Sequence, residues 1–242
     1  MPLRIGFDMD GVLADFSTAF KEYGAKLFGP VEPPPSPFTG VRRLPGDQPE
    51  TEEARQAVAE LEARNRVASA QALRRREDKI WQAIESTPNF WMTLKPLDAG
   101  AVRRIHDLTL QHRWEVFFIT QRPFTEGDTV QRQTQHWLVE QGFDLPSVLV
   151  ISGSRGAAAK AIRLDYHVDD SPQNCHDVVG ESTAKPILIV SRSNEQTIAN
   201  AKRLGIGTAH RIGAAIDILE QATLAQTNPL SLIHISEPTR PY

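Results

Sequence analysis

Two carboxylates stand two residues apart in the segment IGFDMDGVLADF, where Asp8 closes an apolar run, Asp10 follows across Met9, and Gly11 comes next. At a strand end this spacing lets both acids face one cavity, and glycine permits the chain a sharp exit. Gathering like charges there costs electrostatic energy unless a cation or phosphate chemistry uses them. A bare Asp-x-Asp is common in turns; the strand before it and the Gly-Val-Leu after it make this string far more specific. Two further strand ends add oxygen donors. In FFIT, Thr120 brings a hydroxyl that can bind a phosphate oxygen, although a threonine there is by itself an ordinary turn residue. In YHVDDSPQN, Asp169 and Asp170 end another short apolar run, and Asp170 ahead of Ser171 and Pro172 also has the make-up of a helix cap. Three strand ends supplying carboxylates and a hydroxyl favour a metal role. Without Cys or His in the set, that metal is magnesium rather than zinc.

The elements that must position these residues are strand-length apolar runs alternating with amphipathic segments of helix length. Strands are predicted at Leu3 to Asp8, Glu115 to Thr120, Ser147 to Ser152, Tyr166 to Asp169 and Pro186 to Val190, with a weaker one near Ala209 to Ile212. Helices are predicted at about Asp128 to Gln141, Gly156 to Leu164, Asn174 to Val179, Asn194 to Leu204 and Ala214 to Ala225. This repetition predicts an α/β fold, a doubly wound, Rossmann-like parallel sheet whose sites lie beyond the carboxyl ends of the strands. Roughly a hundred residues separate the first two strands, far more than a crossover needs, so a small helical cap inserted after the first strand is expected. The expected division is a core of 1–16 and 95–225, an insertion at 17–94, and a tail at 226–242. Within the insertion, GPVEPPPSPFTGVRRLPGDQP reads as loop, and Thr51 to Arg76 as a charged helix that need be no more than a solvated one. Trp81, Phe90 and Trp91 read as core aromatics.

Composition bounds the rest. With 242 residues, 40% hydrophobic and 24% charged, the chain can bury one sizeable core with a small subdomain. A formal net charge of -3 recommends neither a nucleic-acid polymer nor an anionic membrane as partner. The single cysteine, Cys175, cannot form an internal disulfide, and no Cys/His cluster has zinc-site spacing, so a reducing compartment is expected. The N-terminus MPLRIGFDMDGVLADF runs straight into strand-like sequence without a basic-then-apolar signal region, and no apolar stretch approaches the roughly 20 residues of a membrane span; a cytoplasmic location is expected. Leu230 to Arg240, LSLIHISEPTR, resembles the in-frame translation of a sequencing-library adapter, so the tail is left out of the expected fold.

Taken in order, DMDGVLAD, the strand-terminal Thr120, a basic residue near a helix start and the closing Asp169-Asp170 resemble the four motifs of the haloacid-dehalogenase superfamily, over nearly the whole chain to about Glu220. DMDGVLADF together with NFWMTLKPLDAGAVRRI is further similar to the 5'(3')-deoxyribonucleotidases and their bacterial relatives, which carry a helical cap between the first two motifs. The resemblance implies a phosphomonoester hydrolase acting on a nucleoside 5'-monophosphate or another small phosphate ester. Asp8 would attack phosphorus in line and form an aspartyl-phosphate. Asp10 would protonate the leaving alkoxide and then activate the water that hydrolyses the intermediate. Mg2+, held by Asp8, the Asp10 carbonyl and Asp169 or Asp170, would neutralise charge, while Thr120 and a cation would hold the remaining phosphate oxygens. Closure of the cap over substrate is also implied.

Two places depart from the family pattern. A lysine is expected at the start of the helix before the acidic strand, and the chain offers SGSRGAAAKAIRLDYHVDD. Arg155 has the better position at the helix start; Lys160, about 7.5 Å farther along at 1.5 Å per residue, has the better residue type and spacing to the acids. Both stay open. Gln121-Arg122-Pro123 replaces the small residue expected after Thr120, which adds Gln121 and Arg122 to the candidate phosphate ligands. Competing readings are a phosphotransferase or dehalogenase of the same superfamily, or a phosphate-binding protein that keeps the fold without catalysis. Dehalogenases do not need the second acid, so Asp10 argues against them.

Overall fold

The computed structural model describes residues 2–29 and 52–227, with the backbone alone over 52–68 and at 227. Past Gly29, the Pro- and Gly-rich stretch lies outside the described residues, as do Thr51 and the adapter-like Leu230 to Arg240. The chain forms two compact units, Met1–Phe16 with Asn89–Tyr242, and Ser17–Pro88.

The first unit is built on six parallel strands: β1 Arg4–Asp8, β2 Glu115–Thr120, β3 Ser147–Val150, β4 Tyr166–Asp169, β5 Lys185–Ile189 and β6 Gly207–Ala209. They are ordered β3-β2-β1-β4-β5-β6. The helices α3 Ala101–His112, α4 Val130–Glu140, α5 Arg155–Ala161, α6 Pro172–Glu181, α7 Glu195–Arg203 and α8 Ile212–Thr227 connect or follow these strands. Near-continuous apolar runs such as Ile5 to Phe7 and Phe117 to Ile119 form these strands because helices cover both faces of the sheet. The chain winds from β1 outward to β3, then returns to the other side of β1 to lay down β4. The order therefore reverses between β1 and β4, where open α/β sheets leave a crevice at the carboxyl ends of their strands. Phe7 pairs with Val168, so Asp8 and Asp169 finish their strands at the same level.

Short polar caps fix where the helices begin. Thr129 accepts a hydrogen bond from the Arg132 amide, Ser154 from those of Gly156 and Ala157, and Ser171 from that of Asn174, with Pro172 entering the first turn of α6. The Ser154 cap starts α5 at Arg155, one residue ahead of the expected Gly156, and the helix stops at Ala161 rather than Leu164. The last strand also differs from expectation. It is Gly207–Ala209, paired with Ile187 to Ile189, while Ile212 is buried as the first residue of α8. An isolated apolar residue at 212 reads equally well as either. Helix α3 has no counterpart among the expected helices. It begins after Gly100 at a φ of 90° with no side-chain cap, so the polar start signal that marks α4, α5 and α6 is absent. Its buried stripe of Val102, Ile105 and Leu108 nonetheless has helical spacing. Helix α8 continues past the expected core limit at 225.

The return into the core is at Asn89 rather than 95, because Phe90 and Trp91, in a 3₁₀ turn, are both buried and pack against Phe16 with ring centroids 6.4 and 5.6 Å away. The second unit is helical, as expected for the insertion. It holds most of α1 Phe16–Phe28 and the 34-residue α2 Glu52–Glu85. Phe20 lies against Trp81 at 5.5 Å, Gly24 faces Ile80, and the Arg76 guanidinium sits 4.7 Å over the Phe28 ring. Among the described residues no helix is long and apolar enough to cross a membrane.

Helix α5 approaches α6 through Gly156. A methyl group there would meet the Asp177 carbonyl oxygen at 2.2 Å and the Glu181 Cβ at 2.8 Å. Alanine gains up to about 1 kcal/mol over glycine in a helix, but forcing an extra methyl against fixed backbone costs about 1–3 kcal/mol. Gly156→Ala is therefore expected to lower stability in urea denaturation by a net amount of about 1–2 kcal/mol. A more stable variant would show that the two helices can separate at no cost.

Candidate active site

Asp8 ends β1 almost fully buried, and Gly11 turns the chain away at a φ of 81°. The turn is held by the Leu13 and Ala14 amides, which donate to the Met9 carbonyl at 2.9 and 2.8 Å, and by the Gly11 amide on Ala14 O at 3.0 Å. A Cβ at Gly11 would lie 1.9 Å from Asp170 Oδ2, so the glycine supplies both the positive φ and the space for Asp170. Asp8, Asp169 and Asp170 converge: one carboxylate oxygen from each lies within 4.8 Å of the others.

Arg155, at the first position of α5, is 5% exposed and donates from Nη2 to Asp8 Oδ1 at 2.7 Å, with Nε 3.7 Å from Asp169 Oδ2. Its Nη1 and Nε are buried and have no hydrogen-bond partner among the described residues. Lys160 goes elsewhere. Five residues along α5 it is exposed, and it shares a surface depression with Asp165 and Glu181, at the opposite end of β4 from Asp169. The two candidates for the third motif are thus separated by helix geometry, and only Arg155 reaches the acids.

Asp169 is surrounded by donors. Its Oδ1 accepts from the Ser171 amide at 2.8 Å, both oxygens accept from Asn174 Nδ2 at 3.1 Å, and Oδ2 shares a hydrogen bond with His167 Nε2 at 3.0 Å. Asp170 is open to solvent. Thr120 ends β2 buried beside β1, while Gln121 is exposed. Arg122 is buried and pairs with Asp10, its Nε on Oδ2 and Nη2 on Oδ1, both at 2.8 Å. His167, Asn174, Thr134 and Trp91 were not assigned to the site from sequence. His167 carried a usable signal, since residues two apart on a strand share a face with the acid. Asn174 and Thr134 arrive from helices and carried none.

The electrostatics follow from this crowding. Burial first, and then the Asp169 charge, push the Asp8 carboxyl well above the usual carboxylate range; Arg155 pulls it back. Desolvation and Asp169 raise Asp170 to about 6. Burial and the same acids push the Cys175 thiol up, so this free cysteine stays protonated and unreactive. A buried Asp8 must gain positive charge to ionise. The oxygen-only set of Asp8, Asp169 and Asp170 suits a hard divalent cation.

Solved structures similar to the chain include three from three organisms. One is a candidate beta-phosphoglucomutase from Thermotoga maritima, at 16% identity and a TM-score of 0.49, with 90% of this chain and 99% of that one covered. Another is a HAD hydrolase of family IA, variant 3, from Entamoeba histolytica, at 16% identity, a TM-score of 0.45, and 88% and 94% covered. The third is a 2-haloacid dehalogenase from Pseudomonas syringae pv. tomato, at 16% identity, a TM-score of 0.42, and 92% and 100% covered. No protein-family model matches the chain, and no curated protein matches it in sequence. The chemistry of the site rests on its own residues.

A carboxyl raised to about 6 in the fold, against 3.8 ordinarily, makes the folded protein bind a proton before the unfolded chain does. Ionised Asp170 therefore costs stability above pH 6, and the cost fades as pH falls through that value. In chelator, Asp170→Asn is expected to melt above the wild type by a margin that narrows between about pH 7.5 and about pH 5. A margin independent of pH in differential scanning fluorimetry contradicts the assignment.

Proposed function

We propose that the chain is a magnesium-dependent phosphomonoester hydrolase that works through an aspartyl-phosphate on Asp8, with a nucleoside 5'-monophosphate or a similar small phosphate ester as substrate. The observation that carries the reading is the pairing of Asp8 with Arg155 at one strand end, beside two further acids, with Asp10 two residues on. The order of motifs resembles that of haloacid-dehalogenase phosphatases, and the nucleotide part of the reading rests on that resemblance alone.

Asp8 offers its oxygens at the carboxyl end of β1, in the crevice where the strand order reverses. One of them forms the bond to phosphorus as the ester oxygen leaves. Arg155 bonds Oδ1 and keeps the carboxylate oriented, and its unpartnered Nη1 is a donor left for a phosphate oxygen. The Thr120 hydroxyl, ending the adjacent strand, is suited to a second phosphate oxygen. Asp10 gives its proton to the leaving oxygen and later takes one from the water that cleaves the acyl phosphate, which restores Asp8. Asp8, the Asp10 carbonyl and Asp170, with Asp169 behind them, would hold Mg2+. When bound, the ion supplies the positive charge that lets two anions approach. Asp170 is the better direct ligand, because Asp169 already accepts hydrogen bonds at both oxygens.

Phosphate release from a panel of nucleoside monophosphates and small phosphate esters, with Mg2+ or chelator, tests the reading. Turnover is expected only with Mg2+, and Asp8→Asn is expected to abolish it; release that survives Asp8→Asn would sink the mechanism. Arg155→Ala should lower kcat by about 10²- to 10³-fold, the usual loss of one charge-stabilising donor, whereas Lys160→Ala should stay within about twofold. Comparable losses for both would return the third-motif assignment to the open state.

A further inference from the structure

Arg122 occupies the stretch after Thr120 where the sequence invites a phosphate ligand, yet its guanidinium edge is turned to Asp10. The pair is two parallel hydrogen bonds of 2.8 Å, the geometry that matches an arginine fork to a carboxylate. The arginine is fixed from behind. Nη1 donates to Thr134 Oγ1 at 3.0 Å, and Thr134 in turn donates to the Val130 carbonyl at 2.8 Å. The guanidinium carbon lies 4.7 Å from the Trp91 ring centroid, and Trp91 Nε1 is tied to the Pro123 carbonyl at 3.1 Å. The Arg122 side chain is 1% exposed against 24% for Asp10, so the carboxylate is the open end of a rigid assembly. Stability does not explain such a pair, because a buried ion pair is often no better than apolar residues of the same volume. The Asp10 backbone is held separately, by bridges from Asp10 to Ala14 and from Ala14 to Pro96. What is left to set is the direction of the carboxylate, and Arg122 sets it.

We infer that Arg122 is a positioning residue which, backed by Thr134 and Trp91, holds the Asp10 carboxyl in the orientation from which it exchanges protons with the leaving group and the attacking water. The inference rests on the phosphohydrolase reading. In the first step Asp10 carries a proton on one oxygen, that oxygen having given up its bond from Arg122 while the other keeps its own. The Asp8–phosphorus bond forms, the ester oxygen–phosphorus bond breaks, and an alkoxide leaving group takes the proton, which returns Asp10 to the carboxylate that Arg122 bonds at both oxygens. In the second, water attacks phosphorus, Asp10 takes the proton, and the Asp8–phosphorus bond breaks. A nitrophenolate leaves without a proton, so with p-nitrophenyl phosphate only the second step needs Asp10 in place.

That difference supplies a readout that a merely structural role would not give. With the full chain, saturating Mg2+ and enzyme in excess over p-nitrophenyl phosphate, nitrophenolate release follows the first step and phosphate release the second. For Arg122→Lys, nitrophenolate release is expected within about threefold of wild type, while phosphate release and turnover of an alkyl phosphate ester fall by roughly tenfold or more. Lysine does not rescue, because one ammonium cannot bond both carboxylate oxygens in the fixed fork. Thr134→Val, which removes the support but keeps the volume, should fall between wild type and Arg122→Lys. Equal losses in both steps, or no loss in either, overturn the inference. A wild type that releases phosphate while both variants match it overturns this inference alone; a wild type inert on every ester overturns the phosphohydrolase reading and this inference with it.

Discussion

Three carboxylates brought within 4.8 Å of one another at the crevice between β1 and β4 are the constraint on which the site depends. At an effective dielectric constant of about 20, two unit charges about 5 Å apart repel by roughly 3 kcal/mol, and burial of Asp8 adds to that cost. The fold meets it in part with one buried cation. Arg155 reaches Asp8 directly and Asp169 at longer range; burial first, and then the remaining excess of negative charge, raise the Asp8 and Asp170 carboxyls. A site with such a deficit of positive charge suits a hard divalent cation.

Most of the surrounding architecture follows from holding those charges in place. Ser154 caps α5 so that its first residue is Arg155, and Gly156 lets α5 approach the α6 backbone closely enough to keep that helix start over the strand ends. Gly11 leaves room for Asp170 where any side chain would collide with it. The Ser171 amide and Asn174, from the first turns of α6, and His167 from β4 fix Asp169. The second acid of the Asp-x-Asp pair is handled differently. Asp10 has its own arginine, brought by the loop after β2 and held by α4 and the turn at Trp91. Two acids two residues apart thus face two separate cations, which gives each its own environment and permits each its own role.

The sequence by itself determined the alternation of strands and helices, the insertion after the first strand, and the acids at the ends of β1 and β4. These are local properties: a short apolar run, a carboxylate at its end and, after the first strand, a glycine beyond it are written consecutively in the chain. It also marked Thr120, Gln121, Arg122, Arg155 and Lys160 as residues of interest, without saying what each would touch. Only the tertiary structure put Arg155 beside the acids and Lys160 away from them, because their placement turns on which end of a seven-residue helix faces the strand ends. Only the tertiary structure turned Arg122 toward Asp10, a partner 112 positions away, and brought Thr134 and Trp91 behind it. Contacts between residues so distant in sequence depend on strand order and on the packing of helices against the sheet, and a local pattern carries neither.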